Sequence, residues 1–210
     1  MFTKNLYVIQ KKTDKKLEYL YNTGYMLMNK KRINLSMSFN SNYMKIAYVS
    51  LLSLFKNNKS DIEFYIYILH KDLTKEEQSY LDTLAQPYGA VLEYILMEDS
   101  RFAASLPVNN HCPLETYYRL MLSELLPQEV DRVLYFDADI IFNHDISELY
   151  FTDFEGNVFC ACPDIYAEVD RTPLKDMVKE NGYTYFNAGV LLYTTLQLYK
   201  WYPCWWINCF

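Results

Sequence analysis

Two carboxylates, Asp137 and Asp139, sit in the run DRVLYFDADIIF from Asp131 to Phe142. Val133, Leu134, Tyr135 and Phe136 have the composition of a strand buried on both faces. The acids follow at its end, and Ile140, Ile141 and Phe142 resume the apolar run, which reads as a further strand. In extended chain, residues two apart point to the same side. Nothing basic lies between the two acids, so a cation or solvent must offset their repulsion. Mg2+ and Mn2+ do so naturally, since they take hard oxygen ligands, often one or two carboxylates plus substrate phosphates. The bland alternative is a solvated turn between two strands. Such turns more usually carry Gly or Asn, and the metal reading and the turn reading stand level on these residues alone.

Other chemistries lack their parts. There is no Gly-rich phosphate loop, no Gly-x-Ser-x-Gly elbow, no His-Glu-x-x-His and no paired Cys/His set for zinc. The three histidines, His70, His111 and His144, read as surface or satisfied core residues. What remains is metal-assisted handling of a diphosphate, in which the ion neutralises the leaving group.

The elements that must position the acids alternate. Ile33 to Ser38 reads as a first strand, Phe39 to Asn42 as a polar turn, and Tyr43 to Phe55 as a helix stopped at Lys56-Asn57-Asn58. Asp61 to Leu69 is a second strand. Leu73 to Leu84 is a helix with Thr74 as N-cap and Glu77 three residues on, the capping-box pattern. Val91 to Leu96 is a third strand, Leu114 to Leu126 a helix closed by Pro127, and the strand carrying Asp137 and Asp139 the fourth. Val158 to Ala161 is a short strand, with Cys160 and Cys162 read as buried strand residues. Thr172 to Lys179 is a short helix, and Tyr185 to Leu192 a last strand. Such alternation implies an α/β domain with a mostly parallel sheet covered on both sides. Ligands in such sheets lie beyond the carboxyl ends of strands, so Asn40 and Asn42 should face the same crevice as Asp137 and Asp139.

Composition bounds the rest. The 210 residues are 51% apolar and 22% charged, enough for one sizeable globular domain. Net charge is −6, unevenly spread. Residues 1–32 hold eight Lys or Arg against Asp14 and Glu18, so the rest of the chain is strongly acidic. An acidic body disfavours nucleic acid as a partner. The basic stretch at 1–32 has no coherent apolar face and reads as an appendage: a solvated tail first, a peripheral contact with an anionic membrane surface second. Five Cys without Cys-x-x-Cys argue for a reducing, cytoplasmic compartment. No signal peptide or membrane span is expected.

Several motifs in order give the chain, from about Ile33 to Tyr199, a resemblance to glycosyltransferase family 8, retaining enzymes of the GT-A fold that include bacterial lipopolysaccharide galactosyl- and glucosyltransferases. LYFDADIIF resembles the family's Asp-x-Asp block, TYYRLMLSELLP the helix that carries an Arg, FNAGVLL a family signature, and DISELY the turn after the metal strand. The resemblance implies a Rossmann-like GT-A nucleotide-sugar-binding domain over residues 33–200. It implies transfer of a hexose from a UDP-sugar to the hydroxyl of a carbohydrate or glycolipid acceptor, with retention of configuration. Asp137 and Asp139 would hold Mn2+ or Mg2+, Asp139 being the surer ligand, and Asp137 with Ala138 would meet the nucleotide. Arg119 would contact the donor near its phosphate or sugar; on sequence alone it equally reads as paired with Glu115 one turn back. Asp164 and Asn187 would meet the donor sugar. Gly189 would allow close backbone approach.

Two departures qualify the resemblance. The family's first strand ends in an Ala-Asp-Asp-Asn-Tyr-like stretch that holds the nucleoside. Here Ser38, Phe39, Asn40, Ser41, Asn42 and Tyr43 stand instead, with both acids replaced. Asn40 can still bond uracil or ribose, with an altered donor and acceptor balance. Residues 201–210, WYPCWWINCF, form an atypical uncharged tail where the family continues with a metal-binding His and a Lys near the diphosphate. The expectation is a C-terminally truncated chain with impaired activity. The alternatives are a non-catalytic remnant that binds nucleotide weakly and a nucleotidyltransferase; the latter would usually carry a Gly-rich basic loop after its first strand.

Overall fold

The computed structural model describes residues 31–98, 114–164 and 186–195. Its centre is one six-stranded sheet, ordered β3-β2-β1-β4-β6-β5. The strands are β1 (Lys31–Ser38), β2 (Ile62–His70), β3 (Val91–Leu96), β4 (Arg132–Phe136), β5 (Phe159–Pro163) and β6 (Phe186–Thr194). Neighbours among β3, β2, β1 and β4 pair in parallel, while β6 runs antiparallel to both β4 and β5. The sheet is therefore mixed. The carboxyl ends of β1, β4 and β5 and the start of β6 fall at one edge, where Pro163 pairs with Phe186.

Both faces are covered. On one face, α1 (Met44–Asn57) and α2 (Lys75–Ala85) contribute Ala47, Leu51, Leu54, Leu81 and Leu84 to a core that includes Leu35, Ile66, Leu134 and Phe136. On the other, Tyr118, Met121 and Leu122 pack on Tyr67, Val133, Tyr135 and Leu191. The alternation along β4 is the period-2 pleat at work: Leu134 and Phe136 face one core, Val133 and Tyr135 the other.

The capping box of α2 is present as expected. Glu77 N–H donates to Thr74 Oγ1 at 3.2 Å, and Thr74 N–H to Glu77 Oε2 at 2.8 Å. Strand β1 begins at Lys31, so it takes in the last two residues of the expected 1–32 appendage.

Three expectations fail for identifiable reasons. The helix expected over Leu114–Leu126 is broken into α3 (Glu115–Tyr118), a 3-10 turn (Arg119–Met121) and α4 (Leu122–Leu125). Arg119 Nε donates to Thr116 O at 2.7 Å, and a side chain inserted into the helical ladder interrupts it. No strand forms at 140–142. Phe142 N–H bonds Ser53 Oγ at 2.9 Å and Phe142 O accepts from Asn57 Nδ2 at 2.9 Å, so α1 takes the groups a strand would need. Cys162 is exposed and Cys160 only half-buried, because β5 is an edge strand. Another short helix, α5 (Ser147–Tyr150), follows the acidic turn. The helix expected over 172–179 and the tail 201–210 lie outside the described residues.

Candidate active site

Asp137 follows β4 and opens a turn. Ile140 N–H donates to Asp137 O at 3.1 Å, an i to i+3 bond that puts Ala138 and Asp139 at the turn's centre. The two acids therefore sit in a turn and not in the extended chain expected of them. Asp137, Ala138 and Asp139 still line one cavity, of about 270 Å³, with Ser38 and Asn40 from the end of β1. Glu115, Thr116 and Arg119 close it from the broken helix. The crevice expected at the carboxyl ends of β1 and β4 is thus present. A larger cavity, of about 430 Å³, lies between the starts of β1 and β4, around Arg32, Asn34 and Arg132. Its Arg132 is already committed to Tyr150 O at 2.8 Å, and its acids, Glu129 and Asp131, precede the amino end of β4 instead of following a carboxyl end, where ligands of such sheets lie, so the chemistry is assigned to the smaller cavity.

The two acids are not left to repel each other. Arg119 Nη2 donates to Asp137 Oδ1 at 2.9 Å, with the Arg119 side chain 8% exposed and that of Asp137 37% exposed. The guanidinium also donates to Ala188 O and lies over the Tyr135 ring, 4.4 Å from its centroid. The partner of Arg119 is thus Asp137 and not Glu115. A fixed fork of donors suits one carboxylate, a strand carbonyl and a helix carbonyl together.

Tyr135 completes the brace. Its hydroxyl donates to Asp137 Oδ1 at 2.9 Å and lies 3.0 Å from Ser38 Oγ. Burial pushes the Tyr135 hydroxyl far up from its ordinary range, so it stays a neutral donor. Both bonds fall on Oδ1. Oδ2 faces Gly189, where a Cβ would come within 2.9 Å of it and 3.0 Å of Asn187 Oδ1. Gly189 therefore permits the close approach expected of it. Asn187 Oδ1 accepts from Gly189 N–H at 2.8 Å, and Asp137 N–H bonds Gly189 O at 2.8 Å.

Ser38, Asn40, Arg119, Asp137, Ala138 and Asp139 are thus brought together. Asn187 and Asp164 lie at the same edge of the sheet, at the start of β6 and after β5, without lining the cavity. Asn42 is exposed, and its backbone N–H donates to Asn40 Oδ1 at 3.1 Å. Glu115 and Tyr135 were missed as site residues. Tyr135 was findable, since it stands two residues before Asp137 on the same face of β4.

The donor set suits a hard divalent ion in part. Asp137 Oδ2 and the Asp139 carboxylate are oxygen ligands of the kind Mg2+ and Mn2+ take beside substrate phosphates. Among the described residues no group of three or more His, Cys, Asp or Glu could hold a metal ion.

A mixed sheet with a braced acidic turn at the carboxyl end of its central parallel strand is the GT-A architecture. The galactosyltransferase LgtC, solved with donor and acceptor sugar analogs, superposes with a TM-score of 0.71 at 25% identity, over 80% of this chain and 62% of that one. The chain belongs to glycosyl transferase family 8, whose model matches residues 34–201. A lipopolysaccharide 1,2-glucosyltransferase of Escherichia coli is 30% identical over 165 residues, 79% of this chain and 48% of the relative. A lipopolysaccharide 1,3-galactosyltransferase of Salmonella typhimurium is 28% identical over 170 residues, 77% of this chain and 48% of the relative. The chain spans about half the length of these relatives. No helix among the described residues is long and apolar enough to cross a membrane.

Proposed function

We propose that the chain carries the donor-binding part of a glycosyltransferase that takes a hexose from a UDP-sugar and passes it to a hydroxyl of a carbohydrate or glycolipid acceptor, with retention of configuration. The observation that carries this reading is the acidic turn Asp137–Asp139 braced by Arg119 in the crevice between β1 and β4. Retention rests on family membership. An acceptor of the lipopolysaccharide type follows the relatives' activities, and it would place the protein on the cytoplasmic side of the inner membrane, in peripheral contact with it.

On this reading each residue has a role. Asp139 and Asp137 Oδ2 would hold Mn2+ or Mg2+, which when bound neutralises the diphosphate and eases its departure. Arg119 and Tyr135 both bond Asp137 Oδ1 and hold the carboxylate in one orientation with Oδ2 left free of these donors, the preorganisation that electrostatic catalysis needs. Arg119, paired with Asp137, lines the cavity that the phosphates would enter. Ser38 and Asn40 border the nucleoside, and Asn187 and Asp164 flank the place of the transferred sugar.

Product analysis tests the reaction class. Incubated with a UDP-hexose and Mn2+, the protein is expected to release free UDP. Release of pyrophosphate from a nucleoside triphosphate, without UDP release, contradicts the reading and favours a nucleotidyltransferase.

A further inference from the structure

Glu115 enters the cavity without an assigned task. Its Oε1 accepts from Asn40 Nδ2 at 3.0 Å, and its backbone carbonyl accepts from Ser38 Oγ at 2.7 Å. These two bonds tie the start of α3 to the end of β1. Asn40 Oδ1 in turn accepts from Asn42 N–H at 3.1 Å. The Asn40 carboxamide is thereby oriented from both sides: turned over, its oxygen would face a carboxylate and its amino group an N–H. Glu115 Oε2 has no partner among the described residues, and no cation there lies within ion-pair distance of it. Arg119, the cation of the cavity, is spent on Asp137, Thr116 O and Ala188 O.

The open oxygen of a half-buried carboxylate that lines a cavity is an acceptor for a donor entering that cavity. Beside phosphates it is repulsive. Within the cavity the Arg119 guanidinium is bonded to Asp137, while the Glu115 carboxylate is bonded to Asn40 and carries no such cation. A nucleoside diphosphate offers the matching polarity, with anionic phosphates at one end and N–H and O–H donors at the other. We propose that Glu115 is a specificity-determining residue that accepts a hydrogen bond from the nucleoside, either from an imide N–H of the base or from a ribose hydroxyl, with Asn40 holding its carboxylate in place. This rests on the nucleotide-sugar reading above.

The test is calorimetric titration of the chain and its Glu115→Gln variant with UDP, CDP, 2′-deoxy-UDP and pyrophosphate, each with Mn2+. Gln keeps an oxygen for Asn40 and puts a donor where the open acceptor was. The variant is expected to bind UDP about 10- to 100-fold more weakly, the usual range for a hydrogen bond to a charged group, with pyrophosphate binding unchanged. That unchanged binding also shows that the variant folds, and Glu115→Ala should repeat the pattern. If the wild-type preference for UDP over CDP disappears in the variant, the donor is the base N–H. If the preference for UDP over 2′-deoxy-UDP disappears, it is the ribose. Wild-type UDP affinity in Glu115→Gln, or an equal loss for UDP and pyrophosphate, overturns the proposal. No UDP binding by the unaltered chain overturns the nucleotide reading, and this inference with it.

Discussion

Asp137 Oδ1 takes two donors while Oδ2 stays free of them, so the carboxylate is held in one orientation. Gly189 is the third condition. Its missing side chain leaves the room that Asp137 Oδ2 and Asn187 Oδ1 occupy. Gly189→Ala puts a methyl 2.9 Å from one and 3.0 Å from the other, and Asp137 cannot swing aside without breaking its bonds to Arg119 and Tyr135. Overpacking of this kind costs about 1–3 kcal/mol. Urea unfolding should show a lower midpoint, and titration with UDP and Mn2+ a weaker affinity. A variant with wild-type midpoint and affinity would mean that Asp137 is not held as described. The acids themselves were legible in the sequence, and so was Gly189. The Arg119–Asp137 pair was not, because a partner 18 positions away is invisible to helical spacing.

Elements with local signals were the most readable. The capping box around Thr74 is written in four consecutive residues, and Thr74→Ala should cost about 0.5–2 kcal/mol in chemical unfolding, the range for a lost N-cap. An unchanged stability would show that α2 does not depend on its cap. The broken helix at 115–125 and the missing strand at 140–142 were unreadable, since side chains distant in sequence decide them. The end of β2 adds a pH dependence. Burial holds the His70 imidazole below its ordinary pKa of 6.5, with Asp72 acting to raise it and Lys75 to lower it. Its Nδ1 accepts from Leu73 N–H at 3.2 Å. The unfolded chain thus binds a proton there that the folded chain does not. The stability contributed by neutral His70 is full above pH 6.5 and is lost as pH falls from there through the folded pKa. Glu77 acts in the same direction at lower pH. The Thr74 backbone N–H holds its carboxyl below 4.5, so stability is lost as pH falls further. His70→Asn keeps an acceptor for Leu73 but cannot titrate, so the loss of stability just below pH 6.5 should flatten in that variant. An unaltered slope would assign it to another group.

At the scale of the whole molecule, the parallel strands β3-β2-β1-β4 gather strand ends at one edge, and the antiparallel β6 brings Asn187 and Gly189 to the same edge. The α/β class and the crevice could be read from alternating strands and helices. The strand order could not, because nothing local tells β6 to pair with β4. The account stands on one claim, that the acidic turn binds a nucleotide diphosphate through a divalent ion. Calorimetric titration of the protein with UDP, with and without Mn2+, beside the Asp139→Asn variant, tests it most directly. The account predicts UDP binding that requires Mn2+ and falls at least about tenfold in Asp139→Asn, the scale on which even supporting residues of a metal site act. UDP binding that is indifferent to Mn2+ and to Asp139, or no binding at all, would contradict it.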